Sequence, residues 1–426
     1  MTTTSTALVP YDPTLPHISM EAHLEAVTDR AVRQSLEVAK FESAHLHSTD
    51  FLQQNIFTEG SIDKRLLHIA QHLPEMLPSM ARTAKVESFP FSGIIALQAG
   101  DGPIVQACHC PNQPEFTTDQ TFNALSIGKL FTATAVMQLI EDGVQIDGEE
   151  ISLTTPLSKL LTPEELDVPL KPPYLEQKPD DASLSELRKH MGEITLEHLL
   201  SHTGGFVGRE EDKEKGIAGG NNWDHSTIGK RCYSNYGYQL LGTIVGKHTN
   251  SGTPFINHEA RFRAHIERRI FKRAGMEGAR RESGRLVDGV YPLARHQPDC
   301  FEIPKEGPMK GTPQKVNPME FPEPYPHGNG CWRMTTNDLF DFSRAIQHNL
   351  LISAKSFQDM QDRRLGFGVE RDQNEAIIGY GHPGGGSGMS SFLHIWRTDP
   401  PVTAVVLSNH SGCEMVKPCL DPLMQQ

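Results

Sequence analysis

The chain has no long hydrophobic run. Its longest largely apolar stretch, Leu130 to Ile140, is about half of what a bilayer-spanning helix needs, so no membrane association is expected. It also lacks a cluster of Lys and Arg. Forty basic against 53 acidic residues leave a net charge of −13 over 426 residues. An acidic chain without a basic stripe has no footprint for nucleic acid. Residues 1–16 are polar and Thr-rich, with no basic patch ahead of an apolar segment, which argues against a secretory leader. Seven scattered cysteines do not read as a disulfide framework, and a reducing cytoplasmic setting follows as the expectation. No P-loop and no G-x-S-x-G elbow is present, and no cofactor is implied.

What is there suits a globular protein. Hydrophobic residues make up 37% and charged residues 22% of the chain, enough for a sizeable core, and the length predicts two or three structural units. Met20 to Phe41 and Ile62 to Met80 space apolar residues at helical intervals, so residues 1–87 read as a helical N-terminal extension with the first helices. Gly93 to Ala99, the Gly100-Asp101-Gly102 turn and Ile104 to Cys108 predict a β-hairpin. A helix is expected from Ser126 to Asp142, stopped by Gly143. Residues 162–193, 205–230 and 297–326 are rich in Pro, Gly and charge and read as long loops framing a site. Ser390 to Trp396 and Val402 to Asn409 read as two strands around Asp399-Pro400-Pro401.

Strands at both ends with helices between them predict an α/β (α+β) fold with an antiparallel sheet built from both chain ends. The catalytic domain would span 88–426. Its sheet lobe would take about 88–115 and 365–426 and its mostly helical lobe about 120–345, with a ligand cleft where the lobes meet.

The chemistry starts at Ser126-Ile127-Gly128-Lys129. The predicted helix carries no charge from Leu130 to Ile140, so most of its circumference should be buried. A serine on its first turn has the helix dipole and unused N–H groups behind it. A lysine three residues on shares its face, and burial would lower that lysine's pKa until it accepts the serine proton. The motif alone is weak, because Ser61-Ile62-Asp63-Lys64 repeats it; there Ser61 reads better as a helix N-cap. Two further elements support Ser126. Tyr233-Ser234-Asn235 can present a tyrosine and an asparagine to one side of a cleft. His382-Pro383-Gly384-Gly385 opens a glycine-rich run ahead of the Ser390 strand, where a substrate can approach the backbone. Taken singly, each has a plain structural reading as a helix start or a loop.

In this order the three elements, S-x-x-K, Y-x-N and H/K-x-G, resemble the serine β-lactamase-like superfamily. The similarity is to the branch of class C β-lactamases, D-Ala-D-Ala carboxypeptidases, family VIII esterases and statin-pathway acyltransferases. Ile194 to Gly204 and Gly328 to Leu339 resemble the family's flanking stretches, and the likeness covers roughly residues 88 to 410. Penicillin-interacting enzymes pair S-x-x-K with S-D-N and K-T-G; the tyrosine here points to the class C-like branch. The histidine removes a fixed positive charge that would help seat a β-lactam carboxylate.

The resemblance implies acyl transfer through a covalent serine intermediate. Ser126 would be the nucleophile. Lys129 and Tyr233 would be the coupled proton-transfer pair, with the base left open between them. Asn235 would hold Lys129 and a substrate carbonyl, and His382 would orient Tyr233 or the substrate. Backbone N–H groups of Ser126 and Gly385 would form the oxyanion hole beside Gly384. The expected partner is a small-molecule or peptide acyl substrate, an ester, thioester or amide, that is hydrolysed or transferred; the oligomeric state stays open. A D-amino-acid peptidase or weak β-lactamase is the alternative. A non-catalytic binding or sensor relative is the alternative of another class. His198-x-x-x-His202 has the spacing of metal ligands on a helix but lacks the glutamate of H-E-x-x-H. Cys108-His109-Cys110 runs along a strand that sends successive side chains to opposite faces. No metal is expected.

Overall fold

Short apolar segments on either side of the Gly100-Asp101-Gly102 turn form two antiparallel strands, β1 (Gly93–Ala99) and β2 (Val105–His109). The structure is a computed structural model. It describes residues 92–109, 120–167, 181–207, 222–249, 257–279, 300–302, 314–316, 328–330, 332–386 and 388–410, with 64, 66, 67, 69, 70, 416, 417, 420 and 421. The expected helix over Met20 to Phe41 lies outside the described residues. Of Ile62 to Met80, the described positions 64, 66, 67, 69 and 70 are helical.

Four C-terminal strands complete the sheet: β3 (Gly368–Arg371), β4 (Ile377–Gly386), β5 (Met389–Trp396) and β6 (Val402–Ser408). The order is β3-β4-β5-β6-β1-β2, antiparallel throughout. The two chain ends meet at β1 and β6, where Gly93 pairs with Ser408 and Ala99 with Val402. The expected two-ended antiparallel sheet is therefore the observed one.

The period of two in these strands gives the sheet two apolar faces. Ile94, Ala96, Leu393, Ile395, Val405 and Leu407 face the main core. Ile95, Leu97, Phe392, Val402, Ala404 and Val406 face a second cluster with Leu66, Ile69, Val416 and Leu420.

The main core is filled by α1 (Gly128–Glu141), in which every residue from Gly128 to Leu139 is buried. Its end is a Schellman motif: Gly143, at φ +62, donates to Ile140 O at 3.1 Å, and Val144 donates to Leu139 O at 3.2 Å. The left-handed residue is the glycine expected there. The start differs from the expectation. Leu125–Ile127 form a 3₁₀ turn and α1 begins at Gly128, so Ser126 sits on the tighter turn ahead of the α-helix.

The long segments expected to be loops hold more structure than their composition suggests. Residues 162–193 include a helical turn, Pro163–Leu166, with a Thr162/Glu165 capping box, and α2 (Asp181–Glu193). Proline there marks a helix start, where its missing N–H costs nothing. Beyond α3 (Leu196–Leu200), Gly204–Val207 pairs with Asn222–Ile228 as a hairpin. Short strands Cys300–Glu302 and Gln314–Val316 pair within 297–326. Helix α4 (Asn235–His248) then runs beside α1, followed by α5 (His258–His265), α6 (Thr336–Gln347) and α7 (Ala354–Asp362). Among the described residues no helix is long and apolar enough to cross a membrane.

Candidate active site

Three elements deliver the three sequence motifs to one place. Ser126 lies on the 3₁₀ turn and Lys129 in the first turn of α1. Tyr233 and Asn235 flank Ser234, the N-cap of α4, whose hydroxyl accepts the Gly237 N–H at 3.0 Å. His382 and Gly384 lie on β4, whose glycine end runs along the Ser126 turn.

The centre of the cluster is Lys129, a fully buried lysine. Its Nζ donates to Ser126 Oγ at 3.0 Å, to Asn235 Oδ1 at 2.8 Å and to the Asn329 carbonyl at 2.8 Å. The ammonium also lies 4.9 Å from the centre of the Tyr233 ring. Burying such a group is tolerable only with partners of this quality. Ser126 is half-buried. Burial raises the Tyr233 phenol above its ordinary range, against a smaller lowering by the Ser126 hydroxyl, so the phenol keeps its proton at neutral pH.

Close backbone approaches hold this geometry. A Cβ on Gly128 would stand 2.6 Å from Gly330 Cα, and one on Gly330, at φ +139, would stand 2.1 Å from the Leu125 carbonyl oxygen. The 328–330 segment thereby presses on the serine turn and brings the Asn329 carbonyl to Lys129. Thr132 fixes it further by donating to Gly328 O at 2.6 Å. Leu125, immediately before the serine, has φ +51, a conformation costly for a branched side chain. Asn123 Oδ1 holds it there by accepting the Leu125 N–H at 2.8 Å.

Gly384 and Gly385 differ. Gly384 is buried, and a Cβ there would meet Ser391 Oγ at 2.2 Å and Ala124 O at 2.8 Å; a Cβ on Gly385 would meet nothing within 4 Å. The first glycine lets the strand close on the serine turn, and the second faces open space. The glycine run expected to open the Ser390 strand is the end of the strand before it. Gly379-Tyr-Gly381-His-Pro-Gly384 also spells the G-x-G-x-x-G spacing. All of it lies within β4, with no helix start to receive a phosphate.

His382 is 6% exposed. Burial first, and then Lys129, lowers its pKa to about 3, which keeps the ring uncharged at neutral pH. Its Nδ1 is 2.5 Å from the Pro383 carbonyl and its ring 6.0 Å from that of Tyr233.

The other sequence candidates fall elsewhere. Ser61 lies outside the described residues, and Lys64 is an exposed helical residue. His198 and His202 do not share a helix face, because α3 ends at Leu200 and His202 has φ +61. His198 Nδ1 closes a capping box with Thr195, whereas His202 Nδ1 accepts the Ser234 N–H at 3.1 Å. Cys110 lies outside the described residues. Among the described residues, no group of three or more His, Cys, Asp or Glu is placed to hold a metal. Asn123, Thr132 and the Asn329 carbonyl were not singled out from sequence. The Gly328-Asn329-Gly330 run was the available signal for the last.

A family model described as Beta-lactamase matches residues 93–417. No curated protein sequence gives a match. Among solved structures, a penicillin-binding protein from Bacillus halodurans superposes with a TM-score of 0.53 at 19% identity, covering 82% of this chain and 98% of that one. The octameric penicillin-binding protein homologue from Pyrococcus abyssi gives 0.53 at 19% identity, over 83% and 77%. The D-amino acid amidase from Ochrobactrum anthropi SV3, complexed with D-phenylalanine, gives 0.53 at 16% identity, over 81% and 92%. At these identities the likeness is one of fold.

Proposed function

The chain belongs to the beta-lactamase family, and from that premise we propose that it is a serine-dependent enzyme forming an acyl-enzyme on Ser126. The substrate would be a small-molecule or peptide ester, thioester or amide, resolved by water or by another acceptor. The observation that carries this reading is Lys129 Nζ, fully buried and donating at 3.0 Å to the hydroxyl of half-buried Ser126. A binding or sensor relative would have no use for a buried ammonium beside a serine hydroxyl.

In the first step Ser126 Oγ attacks the carbonyl carbon and its proton passes to the Lys129–Tyr233 pair in the form that holds one proton fewer, the neutral amine or the phenolate, which restores the ammonium and the phenol. Tyr233, protonated at neutral pH, is the group able to return a proton to the leaving atom. Asn235 steadies the ammonium. The N–H groups of Ser126 and of Gly385, whose Cα faces open space, would receive the oxyanion. His382 is too buried to ionise, so it offers a substrate a polar ring and no charge. That favours neutral esters and thioesters over β-lactams, whose carboxylate needs a cation. The likeness to a D-amino acid amidase supports a peptidase or amidase as the second reading. Neither Cys108 nor Cys232 is in a disulfide, in keeping with the cytoplasmic setting we favour.

The test is intact-mass spectrometry after brief exposure to p-nitrophenyl esters, nitrocefin, D-amino-acid amides and acyl-thioesters, with and without alcohol or amine acceptors. An adduct mapping to Ser126 is expected. No adduct with any class, in protein of native fold, would return the chain to the binding reading.

A further inference from the structure

His202 touches the site without a part in the chemistry above. It follows the end of α3, is 5% exposed, and turns the chain at φ +61. Its carbonyl accepts the Cys232 N–H at 2.8 Å, and its ring Nδ1 accepts the Ser234 N–H at 3.1 Å. Those two donors are the residues on either side of Tyr233. The ring centre stands 4.5 Å from that of Tyr233 and 4.9 Å from that of Tyr238. Tyr238 is itself tied down by donating its hydroxyl to the Leu200 carbonyl at 2.8 Å.

One residue thus fixes the main chain on both sides of the tyrosine and backs its ring. The contact needs an uncharged imidazole, since an Nδ1 that accepts an N–H carries no proton. The surroundings enforce this. Burial, then the charges of Lys129 and Arg231, disfavour the cation.

We propose that His202 is a positioning residue of the acyl-transfer site, gripping residues 232–234 and backing the phenol ring so that the Tyr233 hydroxyl meets Ser126 Oγ. This rests on the acyl-enzyme reading of the site, so its test includes a measurement that needs no turnover.

His202→Ala removes both the acceptor and the ring. His202→Asn keeps an acceptor oxygen near the Nδ1 position and tolerates positive φ. Two quantities are read in each. The first is the phenol titration of Tyr233, followed by NMR with 13Cζ-labelled tyrosine and assigned with Tyr233→Phe. The second is kcat and KM for p-nitrophenyl acetate, normalised to acylatable Ser126 by intact mass.

In His202→Ala the phenol should titrate lower than in wild type, toward 10. Its kcat should fall about 10- to 100-fold, the scale of roughly 1 Å of misplacement, with KM within about threefold. His202→Asn should recover most of both. The proposal is overturned if natively folded His202→Ala keeps the wild-type titration and kcat, or if natively folded His202→Asn is as impaired as the alanine variant. Should the alanine variant not fold, the asparagine variant decides on the same two readings. If wild type forms no Ser126 adduct, the acyl-enzyme reading fails while the phenol titration still tests the grip on Tyr233.

Discussion

Five buried histidines among the described residues should make this protein acid-labile well above the carboxylate range. Burial is the first cause in each case, lowering His202 to about 2, His265, His382 and His394 to about 3, and His410 to about 4. The unfolded chain binds these protons near pH 6.5. Folding therefore requires neutral rings, and stability is intact above 6.5 and lost as pH falls from there toward each folded value. Each ring costs about 1.4 kcal/mol per pH unit in that window. Between pH 7.5 and 5.5 the five together cost on the order of 7 kcal/mol, comparable with the whole stability of an ordinary domain.

Opposing effects are smaller there. Relief of repulsion in a chain of net charge −13 is screened beyond about 8–10 Å. Buried Asp338, whose pKa is raised by burial, gains from acid only as the carboxylate itself protonates. Urea unfolding followed by circular dichroism at pH 7.5, 6.5 and 5.5 measures the loss. His265 isolates one ring, because Thr249 Oγ1 at 2.7 Å and Gln138 Oε1 at 3.0 Å occupy both its nitrogens. In His265→Gln the slope of stability against pH should fall by about 1.4 kcal/mol per unit. An unfolding free energy unchanged between pH 7.5 and 5.5, or an unaltered slope in the variant, would refute the reasoning.

Other outcomes follow from the site. Ser126→Ala should lower turnover by roughly 10⁴ or more, whereas Ser61→Ala should leave it nearly unchanged; a dead Ser61 variant would move the nucleophile elsewhere. Gly128→Ala drives a Cβ to 2.6 Å from Gly330 Cα and 2.8 Å from Trp332 Cδ1. It should cost about 1–3 kcal/mol in thermal or urea unfolding and lower kcat by shifting the serine turn, and wild-type values in both would contradict the packing. His382→Lys should raise the kcat/KM ratio of nitrocefin to a p-nitrophenyl ester by about 10-fold or more, since a charge-assisted contact contributes about 1.5–3 kcal/mol. A wild-type enzyme that already prefers nitrocefin by a wide margin would overturn the preference for neutral esters.

The sequence by itself determined whatever depends on near neighbours. The uncharged run from Leu130 to Ile140 fixed α1 as a buried helix, and Gly143 fixed its end. The short, mostly apolar runs Gly93 to Ala99 and Val402 to Ser408 fixed strands with two apolar faces, because side-chain direction follows from backbone period alone. The three-residue spacing put Lys129 beside Ser126. Tertiary structure decided the rest. Lys129 finds its other acceptors 106 and 200 residues away, at Asn235 and Asn329, and only packing chooses such partners. Composition hid α2 and the Gly204–Ile228 hairpin, since Pro, Gly and charge mark capped starts and turns as readily as loops. A helical spacing suggested a shared face for His198 and His202, but α3 ends between them. Burial, a property of the whole fold, decided that His202 and His382 stay neutral, because removing a charge from water costs more than any local sequence signal can reveal.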